Sequence, residues 1–290
     1  MRISRYRLAL VLLASVLAAC STPSGQLPPP QRPVPRPSTP APSRTVAHWQ
    51  PLLVPGYTSY DIATSTLIQE GDSTAALMTD SSTTRVAVTL TLQPTAGGLA
   101  AVVTLDSATL QWGDSTAVLP ANVQHSSNSV FLTNTGAQQA GQALAPVACD
   151  SAAPISVPVQ QLVVALPDTV QVGSSWEDTT SMTTCRAALP ISVAARHSYH
   201  VVRSDPSIAG TALVIQRSSE LRYSAGDSSG GGYALLLTGT GHGSGTLLVD
   251  AEHGALIAAT DTLTATFSVQ TANAVSIFSQ HATRDIRQRP

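Results

Sequence analysis

One serine of the chain stands in a setting that could support nucleophilic chemistry, the run Gly241-His242-Gly243-Ser244-Gly245. A nucleophile elbow needs glycine two residues before and two residues after the serine, on a turn between a strand and a helix. His242 and Thr246 occupy those two positions here, and no helical pattern follows. We interpret the run as a glycine-rich turn or bulge in a sheet, with a catalytic Ser244 as the alternative.

Two further groups could bind a metal or act as an acid and a base. His197 and His200 have an i, i+3 spacing that suits metal ligands on a helix, but the surrounding pattern favours a strand, which would point them to opposite faces. Glu177 and Asp178 could form a carboxylate pair, although solvated turn residues are the simpler interpretation. The sequence has no phosphate loop or dinucleotide fingerprint. We predict no cofactor, no metal and no enzymatic activity.

The amino-terminal residues predict export. Three arginines precede an uncharged run of 12 residues that ends at Ala19. As a helix, this run would be about 18 Å long, too short for a hydrocarbon core of about 30 Å. We therefore predict a removable signal peptide over residues 1–19. The run ends in Leu17-Ala18-Ala19-Cys20, which resembles a bacterial lipobox. An ordinary signal peptide near a coincidental cysteine is the alternative.

The lipobox resemblance implies that Cys20 becomes the first residue of the mature chain and carries diacylglycerol, with further acylation, such as palmitate, completing the anchor. Ser21 follows, where aspartate is the familiar inner-membrane retention signal. By that resemblance the protein is anchored in the outer membrane, with its domain in the periplasm or at the cell surface. Residues 20–44 are rich in proline and predict an extended tether with a reach on the order of 70 Å.

Charge excludes one class of partner for the remaining domain, residues 45–290. All basic residues of the chain are arginines, and nine of them lie in this range against all seventeen acidic residues, a net charge of −8. A domain this acidic repels phosphate backbones, and no basic stripe interrupts it. Nucleic-acid binding is therefore excluded.

With Cys20 assigned to lipid, Cys149 and Cys185 remain as an even pair in an oxidising compartment. We predict that they form a disulfide. A metal or redox pair would need a closer spacing or accompanying histidines, and two free buried thiols are the other alternative.

Hydrophobic residues alternate with polar ones over most of the domain. Leu263, Ala265, Phe267 and Val269 are predicted to share one strand face, and the run Arg85–Leu92 shows the same alternation. A short helix within 136–144 and one at the carboxyl end are the only helical candidates. Further predicted strands, separated by glycine-rich turns, are 57–68, 99–112, 161–166, 192–203, 211–223, 233–238 and 245–250. The pattern predicts an all-β domain with a curved antiparallel sheet, either a half-barrel or a sandwich, as one unit or as lobes 45–150 and 155–290.

Residues 166–180 and 241–269 resemble a loose group of uncharacterised exported bacterial β proteins. In that group a Val-Gly-x-x-Trp corner, here Val172 to Trp176, precedes a curved sheet that ends in an Asp-x-x-x-Gly hairpin, here Asp250 to Gly254. The overall pattern is also similar to the half-barrel lipoprotein carriers of the outer membrane, but it lacks the helices that plug their sheet.

The sequence is compatible with three functions of different classes. The first is a non-catalytic binding module whose curved sheet accepts an apolar or envelope ligand. The second is a structural or assembly lipoprotein that presents sheet edges to an envelope protein. The third is a hydrolase built on Ser244 or an acidic pair.

Overall fold

A computed structural model describes residues 47–71, 78–118, 127–139, 157–186, 189–207, 210–227, 235–271 and 274–290. Over these ranges the protein is all-β and forms one curved antiparallel sheet of eleven strands that is not closed. The predicted fold class is therefore confirmed. The signal peptide, Cys20, the tether and Cys149 lie outside the described residues.

The strands are long and follow one another along the chain. Their bounds are β1 Gly56–Gly71, β2 Met78–Thr95, β3 Gly98–Trp112, β4 Ser115–Val118, β5 Ser127–Leu132, β6 Ser175–Arg186, β7 Leu189–Ser207, β8 Gly210–Asp227, β9 Leu235–Asp250, β10 Leu256–Gln270 and β11 Val275–Gln288. Their order across the sheet is β4-β3-β2-β1-β11-β10-β9-β8-β7-β6, and β5 also pairs with β3.

The alternation predicted from the sequence places the apolar residues on the inner face of the curve. In β10, Leu263, Ala265 and Phe267 are buried, while Thr264 and Thr266 between them are exposed. In β2, Val86, Val88, Leu90 and Leu92 are buried in the same way. Because successive side chains of a strand point to opposite faces, one face forms the core and the other remains solvated.

The first and last strands meet in the middle of the sheet. β1 pairs with β11 from Tyr60 opposite Gln288 to Gly71 opposite Ile277. Strands from the two proposed lobes, 45–150 and 155–290, are thereby parts of one continuous sheet. The boundary expected between those lobes falls mostly on residues 140–156, which the structure does not describe.

Two sequence predictions about β structure were wrong. The glycine run 241–245 is not a turn, because it lies inside β9, and the two strands predicted at 233–238 and 245–250 are one strand. The strand predicted at 161–166 is instead an irregular segment that begins with a 3-10 turn at Val159–Gln161. It buries an almost unbroken apolar run without forming a ladder, so its hydrophobicity was mistaken for strand character.

The predicted carboxyl-terminal helix is also wrong, because residues 275–288 form β11. The inward positions of β11 include the polar residues Gln280 and Arg284, both buried. Polar residues on the buried face interrupt the apolar alternation, so the period of two was hidden in the sequence. Of the helix predicted within 136–144, residues 136–139 are not helical, and the remainder lies outside the described part of the chain.

An irregular segment, residues 157–170, packs on the inner face at one end of the sheet. Its hydrophobic residues are buried with inward side chains from most strands of the sheet, including Tyr60, Val88 and Ile215. We call this set the first apolar cluster. A second apolar cluster lies on the inner face further along the same strands, and its buried members are Ile68, Ile191, Val193, Ala225, Leu237, Leu263, Ala265, Phe267 and Phe278.

The Asp-x-x-x-Gly hairpin expected between β9 and β10 is present. The Asp250 carboxylate accepts hydrogen bonds from the backbone N–H groups of Glu252 at 2.8 Å and His253 at 2.9 Å. Gly254 follows with a φ of +64°, a left-handed conformation that glycine adopts without strain. This turn fixes the register in which β10 returns beside β9.

Candidate binding site on the inner face of the sheet

Between the two apolar clusters, one register row of the inner face carries charge. We call it the central row. It crosses six neighbouring strands from β1 to β7, each residue paired with the next across the ladder. Its members are Thr64, Arg284, Asp261, Gly245, Arg217 and Tyr199.

Asp261 is the centre of this row, because it binds an arginine on each side. Its Oδ1 accepts a hydrogen bond from Nη2 of Arg217 at 2.5 Å, and its Oδ2 accepts one from Nη2 of Arg284 at 2.5 Å and a second from Nε at 3.2 Å. The three side chains keep only 6%, 8% and 9% of their surface exposed. Charged hydrogen bonds this well buried are strong and fix the geometry of the groups they join.

A glycine makes the contact between Arg217 and Asp261 possible. Arg217 and Asp261 lie on β8 and β10, and Gly245 of β9 stands between them in register. A Cβ atom at Gly245 would collide with Oδ1 of Asp261 and would lie 2.7 Å from the backbone oxygen of Thr260. The missing side chain therefore leaves the space in which a salt bridge spans two strand spacings.

Gly245 is the last of four glycines that occupy successive inward positions of β9, with Gly239, Gly241 and Gly243. A Cβ atom at Gly239 would meet the ring of Phe267 at 2.6 Å, and one at Gly241 would meet Cδ1 of Leu263 at 3.0 Å. Side chains of β10 thus lie over the bare backbone of β9. The glycine run 241–245, which resembled a nucleophile elbow in the sequence, is therefore a stretch of β9 against which the side chains of β10 pack.

The electrostatics of the row follow from this arrangement. Burial raises the pKa of Asp261, but the guanidiniums of Arg284 and Arg217 outweigh that effect and lower the pKa to about 2. Asp261 is therefore ionised at neutral pH. Burial raises the pKa of the Tyr199 phenol to about 12, so Tyr199 remains a neutral neighbour that hydrogen-bonds to Arg217.

His197 lies in the row next to the central row. Its Nδ1 is 2.8 Å from the Ser219 hydroxyl, and its Nε2 is 3.4 Å from that of Thr180. Burial, reinforced by the charge of Arg217, lowers the pKa of His197 to about 4, so the ring is neutral above that pH. It supplies hydrogen bonds to the interior without adding charge.

This burial predicts an acid sensitivity that one substitution should remove. The unfolded chain takes up a proton at His197 below about pH 6.5, whereas the folded chain does so only near pH 4. The stability that the neutral ring contributes is therefore complete above pH 6.5 and is lost as the pH falls to 4, by on the order of 3 kcal/mol. Urea unfolding at pH 6.5 and at pH 4 should show that acid lowers the free energy of unfolding less in His197→Gln than in the unchanged protein. His200→Gln, at the solvated outer face, should behave like the unchanged protein, and equal losses in all three would contradict the assignment.

The residues singled out in the sequence do not form a single site. His197 and His200 point to opposite faces, as predicted, with His197 inward and His200 exposed. Glu177 and Asp178 do not lie in a turn but in β6, where Glu177 binds Arg196 at 2.6 Å on the outside and Asp178 is half-buried on the inside. Ser244 is exposed on β9, with its Oγ 2.9 Å from the Thr262 hydroxyl.

Cys185 lies in β6, while its predicted partner Cys149 is outside the described residues. The disulfide therefore stays a prediction. Among the residues described, no three His, Cys, Asp or Glu side chains gather as possible metal ligands.

The fold and this row define a class, an all-β protein built on one open, curved antiparallel sheet whose apolar inner face is interrupted by buried charges. No protein-family profile matches the sequence, and no curated protein matches it. The solved structures that resemble it do so only distantly, and TM-scores of this size support no inference about the present chain. They include DynF from the dynemicin biosynthesis pathway of Micromonospora chersina, with a TM-score of 0.21 and 10% identity over 88% of this chain and 92% of DynF. A loop-L8 deletion mutant of OmpT, an outer membrane protein of Vibrio cholerae, has a TM-score of 0.20 and 8% identity over 80% of this chain and 99% of its own.

Proposed function

We propose that the protein is a lipid-anchored lipoprotein of the outer membrane whose β domain is a non-catalytic binding module for an apolar or amphiphilic ligand of the envelope. The observation that carries the proposal is the layered inner face, in which a charged row separates two apolar clusters. A ligand with an apolar part and a polar group would find complementary surfaces on such a face. Native mass spectrometry of the protein purified from membranes tests the proposal, because a ligand that co-purifies gives a defined added mass.

The anchor rests on Cys20 and has a direct test. Over the ranges that the structure describes, no helix has the length and hydropathy needed to span a bilayer. Cys20→Ser is therefore expected to leave the protein without lipid and to release it from membranes into the wash, since lipidation supplies the stable anchor. Metabolic labelling with a fatty-acid analogue, followed by fractionation, measures both effects. A labelled and membrane-bound Cys20→Ser protein would sink the proposal, and Cys185→Ser is the control that should keep its label.

The proposal of a non-catalytic domain can be tested at an exposed serine that contacts a histidine. Ser175 Oγ lies 2.9 Å from Nδ1 of His200 on the exposed face, which is the distance of a nucleophile and its base. Catalysis also needs donors that stabilise the developing oxyanion. We expect a fluorophosphonate probe to leave the protein unlabelled. Labelling that disappears in Ser175→Ala or Ser244→Ala would favour the hydrolase instead.

Assembly with an envelope protein is the second candidate, and the edge of the sheet favours it. Within the described residues, the β6 backbone pairs only with β7, from Ser175 opposite His200 to Arg186 opposite Leu189. An edge strand with free backbone groups can accept a strand from a partner. Crosslinking in cells that captures one protein through β6, together with purified protein free of lipid, would favour assembly over ligand binding.

A further inference from the structure

The charges of the central row do not balance. Within the described ranges, Arg217 and Arg284 share the one carboxylate of Asp261, so one of the two positive charges has no counter-charge there. The neighbouring His197 and Tyr199 are neutral at pH 7, because their pKa values are about 4 and about 12. Two guanidiniums with one carboxylate are therefore an arrangement that a second anion would complete.

The other inward carboxylate near this row, Asp178, lies too far along the sheet to serve both arginines. It stands on the edge strand β6, opposite His197 in register. From β6, Arg217 is two strands away and Arg284 is five strands away. Burial raises the pKa of Asp178, which further weakens it as a source of negative charge.

A buried hydroxyl beside Arg284 supplies an independent observation. Thr66 follows Thr64 on the same face of β1, and Thr64 pairs with Arg284 across the ladder. The Thr66 side chain is 96% buried, since its relative exposure is 4%, and its Oγ1 has no hydrogen-bond partner within the described part of the protein. An unsatisfied buried hydroxyl destabilises the fold, so it marks a place where a polar ligand atom would be stabilised.

The geometry points to Arg217 and Arg284 as a binding site for the anionic head of an amphiphile, with the Thr66 hydroxyl as an additional donor. This inference deepens the proposed binding function and rests on it. The head carries a carboxylate or a phosphate, the two groups that match the planar donor fork of arginine.

Three ligands with the same chain and different heads test this inference. Oleate and 1-oleoyl-lysophosphatidate carry a carboxylate and a phosphate, whereas 1-oleoylglycerol is neutral. Equilibrium dialysis with the full chain carrying Cys20→Ser avoids detergent. We expect at least one of the two anionic ligands to bind about tenfold or more tightly than the neutral one. The preference between them identifies the head.

Arginine variants decide where the head binds. Arg284→Met leaves the ion pair of Arg217 with Asp261, and Arg217→Met leaves the ion pair of Arg284 with Asp261. Because each remaining pair has no net charge, at least one of the two variants should fold with a normal melting curve. Either folded variant should lose most of the preference for the anionic ligand and keep its affinity for 1-oleoylglycerol. Arg222→Met removes an exposed arginine from β8 and should change neither the preference for the anionic ligand nor the affinity for 1-oleoylglycerol.

The outcomes separate the two levels of the proposal. Equal affinity for all three ligands, or an anion preference that survives in a folded Arg284→Met or Arg217→Met protein, overturns the anionic site while the binding module stands. If none of the three ligands binds the unchanged site, the proposed binding function itself is wrong.

Discussion

Asp261→Asn is expected to lower the free energy of unfolding by about 3–5 kcal/mol, because it removes the carboxylate that binds the two buried guanidiniums of the central row. Asparagine keeps the size of the side chain, so the loss reports charge and hydrogen bonding more than packing. Guanidinium chloride unfolding, with the slope checked for two-state behaviour, measures the change.

An exposed pair provides the control. Arg203 donates to Asp205 from Nε at 2.9 Å and from Nη2 at 2.9 Å, a similar bidentate geometry, but both side chains are solvated. Asp205→Asn should therefore cause only a small loss in the free energy of unfolding, because the exposed pair is screened by solvent. A loss of that small size for Asp261→Asn would show that the buried charges contribute little to stability. Combining Asp261→Leu with Arg217→Met and Arg284→Met should restore stability, since an apolar triad needs no counter-charge.

Gly245→Ala is expected to cost about 2–4 kcal/mol, although it adds a single methyl group. The added Cβ would collide with Oδ1 of Asp261 and crowd the Thr260 carbonyl, so the carboxylate would have to leave Arg217 or the strands would have to separate. Thermal or denaturant unfolding measures the loss.

Gly226→Ala is the matched control for that substitution. Gly226 lies on the neighbouring strand β8, and a Cβ there would meet only Cδ1 of Leu236 at 3.9 Å, an ordinary contact. This change should be neutral or slightly stabilising, because alanine restricts the unfolded chain more than glycine does. Equal effects of Gly226→Ala and Gly245→Ala would refute the role given to the space at Gly245.

The sequence was sufficient for the fold class, because alternation such as that of Leu263, Ala265 and Phe267 depends only on the geometry of a strand. It was insufficient where the inner face is polar. The carboxyl-terminal strand was mistaken for a helix, since Gln280 and Arg284 interrupt its apolar phase. The glycines of β9 were mistaken for a turn, because their role depends on side chains of β10 that only the three-dimensional structure brings over them.

The candidate site was also missed because it consists of polar residues on the inner face, although the sequence contains a signal of it. Asp261 lies two residues before the buried Leu263 in β10, and Arg217 lies two residues after the buried Ile215 in β8, so each occupies an inward position of its strand. A charged residue on the apolar phase of a strand is a signal that can be sought in a sequence. What cannot be seen there is the strand order that places these charges in one row.

The seam between β1 and β11 has a consequence for how the chain reaches this structure. Hairpins such as β1–β2 or β9–β10 join segments that are neighbours in sequence. The other neighbour of β1 is β11, which is far from β1 along the chain. This pairing has the largest sequence separation of the ladders described, and its high contact order makes it slow to form. Before this pairing forms, the half-sheets β1–β5 and β6–β11 each expose an unpaired edge, and all three charged residues of the central row lie on the second half-sheet. Such a state is open to aggregation and to quality control.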